Sequence, residues 1–213
     1  MYVKYVKRIL DVSISFLALI LLLPLFILLA LIGAAVLRGN PFFTQKRPGK
    51  KGKDGREKIF TLIKFRTMTN RRGADGKLLP DEERMTKYGT ALRASSLDEL
   101  PELINILKGD MSLVGPRPLL VEYLPRYTEV QRRRHNVMPG LTGYAQVHGR
   151  NDLDWDEKFA YDLYYVEHIS FGTDVRIVAD TVKAGILRQG ITDGETVTMS
   201  EFTGNEKTEK IEK

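Results

Sequence analysis

Twenty-six consecutive residues, Val12 to Leu37, carry no charge. No other feature limits the folding of this chain as much. As one straight helix the run would reach ~39 Å, enough to cross a hydrocarbon core of ~30 Å. It lacks a small-residue cleavage site and is too long for a signal peptide. A single transmembrane helix is the plain reading. Pro24, with twelve uncharged positions before it and thirteen after, supports another. Proline removes a backbone donor and crowds the preceding turn, so it bends a helix. Cations also flank the run on both sides: Lys4, Lys7 and Arg8 before it, Arg38, Lys46, Arg47, Lys50 and Lys51 after it. A spanning helix collects such charges on one side. Cations on both flanks suit a hairpin that dips into the bilayer and returns. Transmembrane helices tolerate proline, so the residues alone leave both anchors open.

The remaining residues suffice for one domain of moderate size. The chain has no cysteine, which excludes disulfides, Cys-ligated zinc and a thiol nucleophile. Its three histidines, His135, His148 and His168, are too scattered for a local metal motif. The net charge of +6 points to an anionic partner. That charge is concentrated: residues 46–93 hold fifteen Lys or Arg against six acids. A diphosphate needs such a field, and so does an anionic membrane surface. Lys64 and Arg66, ending an expected strand, and Arg93 are the best candidates for a fixed phosphate clamp.

Residues 41–57, rich in Gly, Pro and Lys, read as a loop, and Ile59–Phe65 as a strand. Residues 70–83 read as an exposed loop. Ser96-Leu97-Asp98-Glu99 has the form of a capping box. The helix after it runs through Leu100, Leu103, Ile104 and Leu107 to a stop at Gly109, with Pro101 kinking it or resetting its start. Residues 119–135 read as helical, broken near Pro125. Asp154, with Glu157, caps a helix bearing Trp155, Phe159, Leu163 and Val166, and Asp174 caps another ending near Gly190. Three parts result: an anchor over 1–40, a folded domain over 41–190 and a polar, loose tail over 191–213.

Asp98 and Glu99 are the first candidates for chemistry. An ionised carboxylate can be a nucleophile, and its neighbour can hold Mg²⁺ through oxygen. Alone, two acids in a first turn read as capping residues; the basic field shifts that balance toward a phosphate site. Gly115-Pro116-Arg117-Pro118 places one guanidinium between two prolines, a preorganised grip for phosphate or carboxylate. Asp152-Leu153-Asp154 is a weak acidic motif, and capping already accounts for Asp154. No Rossmann, P-loop or nucleophile-elbow pattern is present.

Several segments in order carry a resemblance. They are Tyr5-Val6-Lys7-Arg8-Ile9-Leu10-Asp11, Phe43-Thr44-Gln45-Lys46-Arg47-Pro48-Gly49, Lys64-Phe65-Arg66-Thr67-Met68 and Ser96-Leu97-Asp98-Glu99-Leu100. They continue through Leu107-Lys108-Gly109-Asp110-Met111-Ser112, Val114-Gly115-Pro116-Arg117-Pro118, Pro139-Gly140-Leu141-Thr142-Gly143 and Gly149-Arg150-Asn151. Together they resemble the bacterial sugar-transferase family, the small monotopic phosphoglycosyl transferases of the PglC type. The resemblance implies an α+β, mainly helical fold. It implies a re-entrant membrane helix broken near Pro24, interfacial amphipathic helices and a small catalytic domain on the cytoplasmic face of the bacterial inner membrane. It implies transfer of a phosphosugar from a UDP-sugar to a polyprenol phosphate, usually undecaprenyl phosphate, with release of UMP and Mg²⁺ as cofactor. Asp98 would attack the β-phosphate and Glu99 would hold the metal. Lys64, Arg93 and Arg117 match phosphate-binding positions, Asp162 a nearby acid and Arg150 a residue near the nucleotide. Resemblance to short members favours an N-acetylated sugar. The partners are the two substrates and the phospholipid bilayer, with no nucleic acid.

Two other classes compete. A conventional metal-dependent glycosyltransferase using Asp152 and Asp154 would release UDP. A non-enzymatic membrane adaptor would bind anionic lipid or nucleic acid through the basic segment and turn nothing over.

Overall fold

Pro24 sets the first boundary in the computed structural model, which describes residues 1–149, 153–186 and 201–204. Helix α1 (Lys7–Leu21) follows a wide helical turn over Tyr2–Val6 and stops at Leu22. Helix α2 (Leu23–Leu37) restarts with Pro24 as its second residue. The proline has no N–H to offer Ile20, and its ring crowds that carbonyl. The two helices meet at a bend of 65°. Among the described residues no single helix is long and apolar enough to cross a membrane; the bent pair passes that test together. Leu17, Ile20, Leu21, Leu23 and Leu31 lie exposed along it. Arg38, in a left-handed conformation at φ 50°, ends α2.

Strand β1 (Phe42–Lys51) pairs with β2 (Glu57–Phe65) in a two-stranded sheet. The strand over 59–65 is as expected; the loop expected over 41–57 is mostly strand. Gly49 serves packing within the strand, while Gly52 and Gly55, the latter at φ 76°, form the turn. A side chain at Gly49 would sit 3.0 Å from the Lys58 carbonyl and 3.3 Å from the Phe60 ring. The actual turn is short, with Gly52 N–H bonded to the Arg56 carbonyl at 2.8 Å.

The chain forms two compact units. One comprises Asp11–Gln45 and Thr61–Lys108. It contains α2, most of α1, α3 (Asp81–Arg84), α4 (Lys87–Ala94) and α5 (Glu102–Lys108). Phe26, Phe42 and Phe65 pack their rings 5.0–5.9 Å apart. The Tyr88 hydroxyl donates to the Leu29 carbonyl at 2.8 Å, tying α4 to α2. Buried Asn105 pins α5 to β2: its amide donates to Thr61 O at 2.7 Å and its oxygen accepts from Ile63 N–H at 3.0 Å. The expected capping box at Ser96 does not form. Ser96 is left-handed at φ 56° and makes no side-chain cap. Leu97–Glu99 is instead one 3₁₀ turn, and α5 begins after Pro101, which resets the start because it has no N–H to give. Gly109, at φ 87°, provides the stop.

The other unit comprises Met1–Leu10, Lys46–Phe60 and Gly109–Lys213. Strand β3 (Ser112–Val114) lies parallel to β4 (Gly140–Thr142), pairing Ser112 with Gly140 and Val114 with Thr142. The backbones approach so closely that a side chain at Gly115 would collide with the Met138 carbonyl. Between the strands the chain makes a 3₁₀ turn through Pro125, α6 (Glu129–Arg132) and a second 3₁₀ turn to Asn136. After β4 come α7 (Tyr144–Val147), α8 (Trp155–Glu167) and α9 (Phe171–Ile186). Asp154 caps α8 in a reciprocal box with Glu157, as expected. Asp174 does not cap α9. It is buried one turn inside, where it accepts from Lys7 at 2.6 Å, Tyr2 at 2.5 Å and Tyr165 at 2.7 Å. Ser170 bonds the Thr173 N–H at 3.1 Å in its place.

The tail also departs from expectation at Glu201–Gly204. Phe202 is buried among Tyr123, Tyr127, Trp155 and Phe159, with ring separations of 5.2–5.7 Å. One aromatic residue in a polar segment is enough to fix it when four rings await it.

Candidate active site

Lys64 is the centre of one cluster. It stands next to last in β2, half-buried, and its ammonium lies 2.7 Å from Glu99 Oε1 and 3.0 Å from Glu102 Oε1. Glu99 ends the 3₁₀ turn and Glu102 opens α5, so three positions bring both carboxylates to the same cation. Glu102 is the most enclosed of the three, with 3% of its side chain exposed. Asp98, adjacent to Glu99, is half-buried in the same turn. One cation held between two carboxylates neutralises charge that would otherwise repel a phosphate. Arg93, at the end of α4, is half-buried, and its Nε donates to Thr67 Oγ1 at 3.2 Å. The approach of α4 depends on Gly89, where any side chain would strike the Thr67 carbonyl. Lys64, Arg93, Asp98 and Glu99 therefore all belong to the unit built on α2, α4 and α5.

Arg117 and Asp162 belong to the other unit. The Arg117 side chain is exposed, while Pro116 and Pro118 on either side are buried. Asp162, on α8, is buried against Arg134, which donates to Asp162 Oδ2 from Nη2 at 2.7 Å and Nε at 3.0 Å. Burial alone would disfavour the Arg134 charge, but attraction and hydrogen bonding to Asp162 and Tyr127 together outweigh it, and the guanidinium is held above its ordinary pKa. Next to it, His135 is pushed down to about 3 by burial, with the Arg134 charge adding to the effect. Its Nδ1 donates to the Gly49 carbonyl at 3.2 Å, and the lowered pKa leaves the ring neutral at pH 7. Arg150 and Asp152 lie outside the described residues. The Asp154 carboxylate is occupied by the Glu157 N–H at 2.8 Å.

Glu102, Thr67 and Arg134 are the polar groups that sequence reading missed. Glu102 had a usable signal, its i+3 spacing from Glu99. Arg134 had none, being one of three consecutive arginines whose neighbours face outward or half outward.

A half-buried turn bearing adjacent carboxylates, with a lysine held against one of them and an arginine at the end of the preceding helix, suits transfer of a phosphorylated group. Residues 2–188 match the family model for bacterial sugar transferases. The chain belongs to that family and is a transferase. It is 50% identical over 203 residues to the protein named "uncharacterized sugar transferase EpsL" of Bacillus subtilis, covering 93% of this chain and 96% of that one. It is 37% identical over 193 residues to the UDP-glucose:undecaprenyl-phosphate glucose-1-phosphate transferase of Klebsiella pneumoniae, covering 86% and 40%. It is 35% identical over 206 residues to the undecaprenyl-phosphate galactose phosphotransferase of Salmonella typhimurium, covering 88% and 42%. The chain thus spans about two-fifths of the length of these last two relatives.

Proposed function

We propose that this protein transfers a sugar phosphate from a UDP-sugar to a polyprenol phosphate such as undecaprenyl phosphate, through a covalent intermediate on Asp98. The observation that carries the reading is the Lys64 ammonium set between Glu99 and Glu102, one residue from Asp98. The assignment of attack to Asp98 follows from the family resemblance, in which the first acid of the pair is the nucleophile and the second holds the metal. A carboxylate oxygen of Asp98 forms a bond to the β-phosphorus. The bond from that phosphorus to the bridging oxygen breaks, and UMP leaves with the electron pair. An oxygen of the polyprenol phosphate then attacks the same phosphorus and Asp98 departs as the free carboxylate. The anhydride broken resembles the one made, so the protein's task is positioning and charge neutralisation. Lys64, Arg93 and Arg117 are the proposed phosphate ligands.

Mg²⁺ fits this donor set. Among the described residues no group of three or more metal-ligating side chains is assembled. Mg²⁺ commonly takes one or two carboxylates and completes its shell with substrate phosphates and water. Glu99 would hold it, and its charge would offset that developing on the phosphates.

The bent helix pair supports a re-entrant anchor; the cytoplasmic membrane and the cytoplasmic side of it are proposed from the family resemblance alone. Each fifteen-residue helix is ~22 Å long. Bent by 65°, two such arms place their apex ~12 Å from the line joining their ends. That depth fits inside one ~15 Å half of the hydrocarbon core.

The test is intact-mass measurement of the protein incubated with UDP-sugars and no acceptor, alongside assay of the nucleotide released. A phosphosugar adduct that vanishes in Asp98→Asn, with UMP as product, is expected. UDP as product, with Asp98→Asn still active, would refute the proposal.

A further inference from the structure

Four backbone carbonyls around Arg117, those of Val114, Pro116, Arg117 and Pro118, are tied down. The Val114 carbonyl accepts from the Tyr165 hydroxyl at 3.1 Å, and the Pro116 carbonyl from Gly140 N–H at 3.0 Å. The Pro118 carbonyl accepts from Arg47 Nη1 at 3.3 Å. The Arg117 carbonyl itself accepts from Arg134 Nη2 at 2.7 Å, the same nitrogen that bonds Asp162. Pro116 and Pro118 fix φ on both sides, so the peptide unit carrying this carbonyl is the remaining soft point of the turn. Arg134 is 3% exposed and Asp162 4%. Tyr127, Phe159 and His135 pack around the pair, with the guanidinium 5.8 Å from the Phe159 ring centre.

A buried pair is often no more stabilising than well-packed apolar residues, so stability gives weak grounds for its presence. Its geometry gives a better one. Asp162 takes the Nε–H and one Nη2 N–H, which leaves the other Nη2 N–H for the Arg117 carbonyl. We infer that Arg134 is a positioning residue for Arg117, that Asp162 aims it, and that Asp162 acts through Arg134 without touching substrate. This rests on the reading of Arg117 as a phosphate ligand. It also assigns Asp162 a different role from the active-site acid that the resemblance implies.

The test uses full-length protein in membranes, measuring UMP release against UDP-sugar concentration. The double variant Arg134→Met with Asp162→Leu replaces the pair by apolar volume and keeps the core filled. It is expected to retain its melting temperature within a few degrees yet lose ~10- to 100-fold in kcat/KM, the scale of a misplaced binding group. Asp162→Asn and Arg117→Ala, alone and combined, give the second measurement. If Asp162 acts only through Arg117, the combined variant is no worse than Arg117→Ala. Multiplying losses would show that Asp162 touches substrate itself and would overturn the inference. So would wild-type kinetics in the folded double variant. Should that variant not fold, the Asp162/Arg117 cycle decides alone. Absence of UMP from wild-type protein would instead refute the proposed function.

Discussion

His135 gives this protein an acid-sensitive joint whose size can be worked out. The ring is 4% exposed, donates from Nδ1 to the Gly49 carbonyl, and stands beside the fixed charge of Arg134. Folding lowers its pKa from 6.5 to about 3. Between those values the unfolded chain binds a proton that the folded chain refuses, so stability falls as pH falls. The contribution is complete above pH 6.5, shrinks below it, and is gone below about 3. Linkage gives a loss of ~1.4 kcal/mol at pH 5.5 and ~2 kcal/mol at pH 5, relative to pH 7.5. His135→Asn keeps a donor for Gly49 and removes the titration. Urea unfolding of both proteins in detergent, at pH 7.5 and pH 5, isolates the effect because the carboxylates are common to both. The variant should be the less stable at pH 7.5 and should lose ~2 kcal/mol less on acidification. Equal losses in the two proteins would show that His135 protonates freely in the fold and would refute the reasoning.

Three other perturbations follow from the packing. Glu102→Gln removes the enclosed partner of Lys64 while Glu99 remains, so a loss of about 1–3 kcal/mol is expected in thermal unfolding. Gly89→Ala drives a methyl into the Thr67 carbonyl and should cost about 1–3 kcal/mol. It should also reduce UMP release, because Arg93 rides on the displaced α4. Phe202→Ala removes one ring of the aromatic cluster and should cost about 3 kcal/mol, read as a lower urea midpoint, whereas a loose tail would give no change.

The parts legible in sequence are those set by local rules. Pro24 announced the bend, Gly109 the stop, and Asp154 with Glu157 the start of α8. The misses share one cause, which is that a distant partner outweighed local propensity. Residues 41–57 looked like a loop because Gly49 and Pro48 are turn residues in isolation, yet Gly49 is there to admit Phe60. Ser96 had the spacing of a capping box, but Pro101 denied the helix its first turn. Asp174 had a cap's composition, and Lys7, Tyr2 and Tyr165 claimed it first. In the candidate site, Asp98, Glu99, Lys64 and Arg93 stood out in the sequence as residue types, and Glu102 and Thr67 emerge only from the fold. Phe202 could not be read at all, since one aromatic residue in a polar tail has no period.

The parallel joint of β3 and β4 has a consequence for how this sequence can drift. Gly115, Gly140 and Gly143 fill one another's side-chain space with backbone: a substituent on Gly140 would strike Gly115, and one on Gly143 would strike the Gly115 carbonyl. No single replacement at any of the three relieves the other two. The joint is therefore closed to stepwise change, and a route through it would require the strands to separate and carry Arg117 with them.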